Sequence, residues 1–242
     1  MGAAMARPQS RPHLLDMDAP CVLPSRHPSS ASRRAITLKE VLRAVFFDVG
    51  ETLVDEERWW RELADRCGVR PHVLWAAVGF TIARGEEHHA LWDHLGIEEP
   101  GWPPDLMYSF SDLYPDAIPC LQAVRELGLR VGIAGNQTEV LEAWAREAEL
   151  PADFIASSAS LGVRKPDPRF FELLVELAGC SPSEVAYVGD RVDNDVFPAA
   201  AAGLVAVHLR RGPWGRLQQT PPEATFGLDD LTSLPDELAS LR

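Results

Sequence analysis

The stretch VFFDVGETLVDEE, Val45–Glu57, decides the fold. Its apolar run ends on Asp48, as a buried parallel strand delivering a carboxylate at its tip would, and Gly50 stands where a second carboxylate would complete a pair. Runs of the same kind recur as RVGIAG (130–135), DFIAS (153–157), VAYVGD (185–190) and LVAVHL (204–209). Between the later runs, PCLQAVRELG, TEVLEAWAREAEL, RFFELLVELAG and VFPAAAAG read as helices. This alternation predicts an α/β fold: a Rossmann-like, doubly wound parallel sheet whose ligands bind beyond the carboxyl ends of its strands.

The interval after the first run is far longer than a crossover needs, and EERWWRELADRCGV, PHVLWAAVGFTIARG and EEHHALWDHLG within it have helical patterning. The expected organisation is a core made of residues 39–55 and 117–242, with a helical cap inserted over 56–116. Residues 1–38, rich in Pro, Ser and Arg and without a long apolar segment, read as a disordered extension rather than a secretory signal.

With 242 residues, 46% of them hydrophobic, the chain can build a sizeable core. A formal charge of −13 repels polyanions, which argues against non-specific binding to nucleic acid or to an anionic membrane. A phosphate ligand therefore needs local positive charge or a metal. Cys21, Cys67, Cys120 and Cys180 are scattered without a CxxC pair, so a reducing cytoplasm is the expected setting. No apolar run of about 18 residues marks a transmembrane helix.

Asp48 and Asp190 each end a strand-like run, so the topology brings both carboxylates to one crevice. Two such anions call for a cation, and oxygen ligands suit a hard ion such as Mg²⁺. GDRVDND (189–195) adds Asp193 and Asp195, although Asp193 or Asn194 reads equally well as the N-cap of the alanine-rich helix that follows. In GVRKPDPRFF (162–171), Pro166 keeps Lys165 extended, while Asp167 and Pro168 suit the N-cap and first turn of a helix. A lysine fixed there can offset charge between Asp48 and a phosphate.

Four ordered blocks, FFDVGETLVD, LRVGIAGNQ, GVRKPDPRFF and AYVGDRVDNDV, with a cap-sized insert after the first, make residues 44–242 resemble the haloacid dehalogenase superfamily. The resemblance implies that Asp48 is the nucleophile and Lys165 the charge-balancing lysine. It further implies Mg²⁺ held by Asp48, the Gly50 carbonyl and Asp190, with Asp195 in support. Two positions depart from the family's phosphatase pattern. Gly50 replaces the aspartate that protonates the leaving group, and Gly135 replaces a Ser or Thr whose hydroxyl binds the phosphoryl group.

A positioned acid or base is worth roughly 10²- to 10⁴-fold, so its loss is severe without being fatal. Glu51, or one of Asp55, Glu56 and Glu57, is available to supply the proton, and Asn136 with the N–H groups around Gly135 to replace the hydroxyl. The leading reading is a Mg²⁺-dependent phosphatase acting on a small phosphorylated metabolite through an aspartyl intermediate, in which Gly50→Asp is expected to raise the rate. A dehalogenase or phosphonatase-like hydrolase is the alternative, since a departing halide needs no proton. So is a weak or inactive ligand-binding relative.

Five of the seven tryptophans (Trp59, Trp60, Trp75, Trp92 and Trp102) fall in the cap interval, where packing is the default role. Trp59 and Trp60 are adjacent on a helix, so one of them is expected to face the site. His88, His89 and His94 read as a solvated helix face, and Arg84 as a solvated charge. Arg210 and Arg211 in RRGPWG read as part of a structural turn that adds positive potential to the crevice.

Overall fold

The computed structural model of the chain describes residues 41–101 and 107–241; the extension read over 1–38 and Trp102 lie outside these residues. The strands are β1 (Ala44–Phe47), β2 (Arg130–Gly135), β3 (Phe154–Ser157), β4 (Val185–Gly189), β5 (Val205–Leu209) and β6 (Phe226–Leu228). They form one sheet in the order β3-β2-β1-β4-β5-β6, and every neighbouring pair is parallel. The order reverses between β1 and β4, which opens a crevice beyond their carboxyl ends. Asp48 follows β1 and Asp190 follows β4, so the expected convergence is met. The edge strand β6 was not foreseen, because three residues carry too little pattern to read.

The helices after β1 are α1 (Glu57–Arg66), α2 (Pro71–Ala83) and α3 (Ala90–Leu95). Those interleaved with the later strands are α4 (Ala117–Glu126), α5 (Glu139–Glu147), α6 (Ser158–Leu161), α7 (Pro168–Ala178), α8 (Phe197–Ala201), α9 (Gly212–Leu217) and α10 (Leu234–Ser240). β1 is buried throughout, and its period of two divides the core. Val45 and Phe47 face Leu121, Leu141 and Leu238, whereas Ala44 and Phe46 face Phe170, Leu174 and Ala199. Helices thus cover both faces of the sheet. No helix among the described residues is long and apolar enough to cross a membrane.

The sequence around Val196 departs from a simple helix. A π-helical turn over Val192–Val196 precedes α8, and it swings Asp195 back beneath the end of β4. Asp193 does not cap a helix; it pairs with Arg191 at 2.5 Å and accepts from Gln218 at 3.0 Å. At α7 the reading holds, with the Asp167 side chain accepting from the Arg169 N–H at 2.9 Å and Pro168 at the first position.

The cap has its own apolar cluster, in which Trp60 and Leu63 of α1, Leu74 and Val78 of α2, and Leu91 and Trp92 of α3 meet. Trp214 of α9 joins it from the core side. The two segments linking cap to core run side by side: the Asp55 N–H donates to Asp112 O at 2.7 Å and the Tyr114 N–H to Leu53 O at 2.9 Å. Arg58 forks onto the buried Asp112 carboxylate at 2.7 and 2.6 Å, fixing the start of α1 against them.

Candidate active site

Lys165, 2% exposed, is the charge at the centre of the crevice. Its ammonium lies 2.7 Å from Asp48 Oδ1 and 2.5 Å from Asp195 Oδ1. Burial alone would lower the lysine pKa, but Asp195 and Asp48 reverse that and hold it well above the ordinary value. The ammonium also sits 5.3 Å from the ring of Tyr187, whose hydroxyl donates to Ala134 O. Asn136 holds the Lys165 backbone in place: its Nδ2 donates to Lys165 O at 2.9 Å, and its Oδ1 accepts from the Lys165 N–H at 2.8 Å. The lysine takes one of the two Asn136 amide hydrogens, and Asn136 lines the cavity.

Asp48, Asp190 and Asp195 are buried with ligand oxygens within 4.8 Å of one another. Burial, opposed by Lys165 and reinforced by repulsion from Asp195, pushes Asp48 up to about 6. Burial, then Asp195 and Asp48, raise Asp190 well above the carboxylate range. Asp195 is fully used, by Lys165 and by the Arg191 N–H at 2.9 Å. The Asp190 carboxylate lines the cavity and makes no hydrogen bond among the described residues. Three buried carboxylates that face one another form a hard, all-oxygen ligand set, which fits a divalent cation such as Mg²⁺.

The loop after β1 folds back on itself. Val49 O accepts from the N–H groups of Leu53 and Val54, both at 2.9 Å, and the Glu51 N–H donates to Val54 O at 2.8 Å. Glu51 takes a left-handed φ of 51°, its Oε2 accepts from the Tyr114 hydroxyl at 2.6 Å, and burial raises it to about 7. Gly212, at φ 61°, lies so close that a Cβ there would come within 2.6 Å of the Glu51 side chain. Arg211 clamps the same loop through Thr52 O at 3.0 Å and through Asp116, with its guanidinium 4.0 Å over Tyr114.

This folded loop sets Glu56 above Gly50. A Cβ built on Gly50 would come within 2.3 Å of Glu56 Oε1, so the carboxyl end of the flexible Glu56 side chain stands in the space a side chain at position 50 would enter. Trp60 Nε1 donates to Glu56 Oε2 at 3.3 Å. Burial, then the negative charges of Glu51 and Asp48, push Glu56 up to about 8. Gly135 has a parallel explanation, since a Cβ there would meet Asp48 Oδ1.

Cap and core enclose a cavity of about 1020 Å³ over these groups. Both Trp59 and Trp60 line it, rather than one of them, because the first turn of α1 runs along the wall and adjacent positions flank the opening. Trp59 leans on Tyr108 with ring centroids 4.7 Å apart. His88 and His89 precede α3 rather than forming a helix face and also line the cavity; His88 is half-buried, whereas His89 is exposed and pairs with Glu99 at 2.5 Å. His94 pairs with Glu86 at 2.6 Å, and Arg84 pairs with the same carboxylate at 2.5 Å and does not line the cavity. Arg210 is held outside by Asp229 at 3.0 Å.

Residues 42–203 match the family model for haloacid dehalogenase-like hydrolases. The chain belongs to that family. It is 34% identical over 203 residues to a glyceraldehyde 3-phosphate phosphatase of Methanopyrus kandleri, covering 72% of this chain and 86% of the relative. It is also 27% identical over 210 residues to an (S)-2-haloacid dehalogenase of Burkholderia cepacia, covering 76% and 87%. Among solved structures, L-2-haloacid dehalogenase of Xanthobacter autotrophicus superposes with a TM-score of 0.59 at 20% identity, over 83% of this chain and all of that one. A phosphatase of Thermococcus onnurineus superposes at 0.55 with 21% identity, over 81% and 98%. These two likenesses establish the shared fold.

The sequence reading did not find Tyr114, Gly212 or the clamp made by Asn136. It named Glu56 only as one of several acids. A turn is visible at Gly50, but not how far it doubles back, because Glu51 is a non-glycine residue held in the left-handed region by tertiary contacts.

Proposed function

We propose that this haloacid dehalogenase-like hydrolase cleaves a small phosphate monoester through an aspartyl intermediate on Asp48, with Glu56 as the acid and base that Gly50 does not provide. The observation that carries this reading is the Glu56 carboxyl group, raised to about 8, in the volume a side chain at position 50 would fill. The relationship to the Methanopyrus phosphatase supports the phosphate-ester class.

A carboxylate oxygen of Asp48 attacks phosphorus and the bond to the leaving oxygen breaks, while the Glu56 carboxyl gives that oxygen its proton. Water then attacks the aspartyl-phosphate phosphorus, Glu56 takes the water's proton, and the phosphorus–oxygen bond to Asp48 breaks to release phosphate. Lys165 holds Asp48 in place and balances negative charge as it gathers on the phosphoryl oxygens. Mg²⁺ would be held by Asp48, Asp190 and the Gly50 carbonyl, with Asp195 behind them, and would supply charge neutralisation to the phosphoryl group. Trp59, Trp60 and Tyr108 wall the site from the cap side and restrict bulk water.

The test is phosphate release from a panel of alkyl and aryl phosphates with Mg²⁺, together with trapping of a fluoroberyllate adduct. Turnover and trapping that both vanish in Asp48→Asn are expected. Halide release from 2-haloacids without phosphatase activity would refute the assignment.

A further inference from the structure

Resting on the phosphatase reading, a second cluster on the same cavity bears on which phosphate ester the chain takes. An adjoining pocket of about 310 Å³ is lined from the cap by Glu87, His88 and His89 and from the core by Arg164, Asp167, Arg191 and Asn194; the Asp167 carboxylate is engaged by the Arg169 N–H at 2.9 Å. Arg164 is the residue before Lys165 and Arg191 the residue after Asp190, so both guanidinium groups rise from the segments that carry the crevice chemistry. The Arg164 side chain makes no ion pair or hydrogen bond among the described residues, and neither does the Asn194 amide. Arg191 is fixed by Asp193 at 2.5 Å and lies 5.0 Å over the Trp214 ring.

Two guanidinium groups, Arg164 and Arg191, line this pocket beside the Glu87 and Asp167 carboxylates, in a chain that carries −13 as a whole. Burial and then the nearby His89, Arg191 and Arg164 hold the His88 imidazole down to about 4. The same two histidines and Glu99 have ligand atoms within 4.8 Å of one another, with His89 Nδ1 pairing with Glu99 Oε1 at 2.5 Å, which invites a metal, but the Arg164 and Arg191 guanidinium groups alongside disfavour a divalent cation and offer donors to an anion.

We propose that Arg164, Arg191, Asn194 and the His88–His89 pair form a second anion subsite, so that the substrate is a phosphate monoester carrying a further anionic group, a carboxylate or a second phosphate. Arg164 and Asn194 supply unspent donors, and Arg191 supplies a charge of fixed orientation. Without such a subsite, a strongly acidic protein would repel a substrate of this charge.

Non-hydrolysable probes test the subsite separately from catalysis. Calorimetric titration with 3-phosphonopropionate, propane-1,3-bisphosphonate and propylphosphonate compares a distal carboxylate, a distal phosphonate and a methyl group. The expected result is on the order of 10- to 100-fold tighter binding of an anionic probe than of propylphosphonate, with that gap closed in Arg164→Gln. The stronger of the two anionic probes names the distal group. Equal affinity for all three probes, or a gap untouched in both Arg164→Gln and Asn194→Ala, overturns the subsite. A gap that depends on Arg164 in a protein hydrolysing no phosphate ester would sustain the subsite and reject the phosphatase reading. Zinc binding lost in His88→Ala, combined with no gap between probes, would assign the cluster to a metal and also overturn the proposal.

Discussion

Replacing Glu56 by Gln removes a titratable group while keeping its shape, including an oxygen for the Trp60 Nε1 donor now at 3.3 Å. If Glu56 protonates the leaving oxygen, an alkyl phosphate should lose about 10²- to 10⁴-fold in kcat, or about 3 to 5 kcal/mol of barrier. An aryl phosphate with a weakly basic leaving group needs no proton for the first step, so Asp48 should still be phosphorylated. The second step still requires a base for water. Rapid mixing of Glu56→Gln with p-nitrophenyl phosphate and Mg²⁺ should therefore give a burst of nitrophenol matching the enzyme concentration, followed by slow turnover, with aspartyl-phosphate on Asp48 detectable by mass after acid quench. Gly50→Asp, a change the family pattern recommends, should displace the Glu56 carboxyl group, because its Cβ would come within 2.3 Å of Glu56 Oε1. Paired with Glu56→Ala it should recover part of the loss. Wild-type rates on alkyl phosphates in Glu56→Gln would refute the assignment.

Lys165→Met strands Asp48 and Asp195 in the crevice without their shared cation, now 2.7 and 2.5 Å away, and should destabilise the metal-free fold by about 3–5 kcal/mol in urea denaturation. Mg²⁺ should raise the Tm of the wild type through binding to the folded state, and the rise should disappear in Asp190→Asn, whose side chain carries no net charge. Asn136→Ala removes two hydrogen bonds that hold the Lys165 backbone, and an expected loss of about 1–3 kcal/mol by the same denaturation should come with reduced kcat.

The parallel core was legible because its strands are buried on both faces. Runs such as Ala44–Phe47 and Val185–Gly189 have to be continuously apolar, and their polar successors Asp48 and Asp190 mark the carboxyl ends. The cap helices were legible from patterning together with an interval too long to be a loop. What escaped depended on tertiary closure. Nothing local says that Glu51 adopts φ 51°, that Tyr114, 63 positions on, donates to it, or that Arg211, 159 positions beyond Thr52, clamps the loop. The π-helical turn at Val192–Val196 escaped for a related reason: an acidic stretch ahead of alanines favours a capped helix, and the ion pair of Asp195 with Lys165 outweighs that local preference.

The two departures at Gly50 and Gly135 have a common physical cause. At each, the missing Cβ would collide with a carboxylate, Glu56 in the first case and Asp48 in the second. Asp48 leans toward β2 into the space a Ser or Thr would have taken, and Lys165 holds it there, while Glu56 closes over the space left at position 50. Losing the motif aspartate alone would have left a void with an unprotected nucleophile. Here the fold of Val49–Val54 brings a carboxyl group from the first turn of the cap into that void, so under the proposed mechanism proton transfer falls to the base of the cap. Glu56 travels with α1, whose start is tied down by Arg58 on Asp112. Loosening that tie, as in Arg58→Ala, would displace the acid without touching the nucleophile, Lys165 or the Asp190 carboxylate.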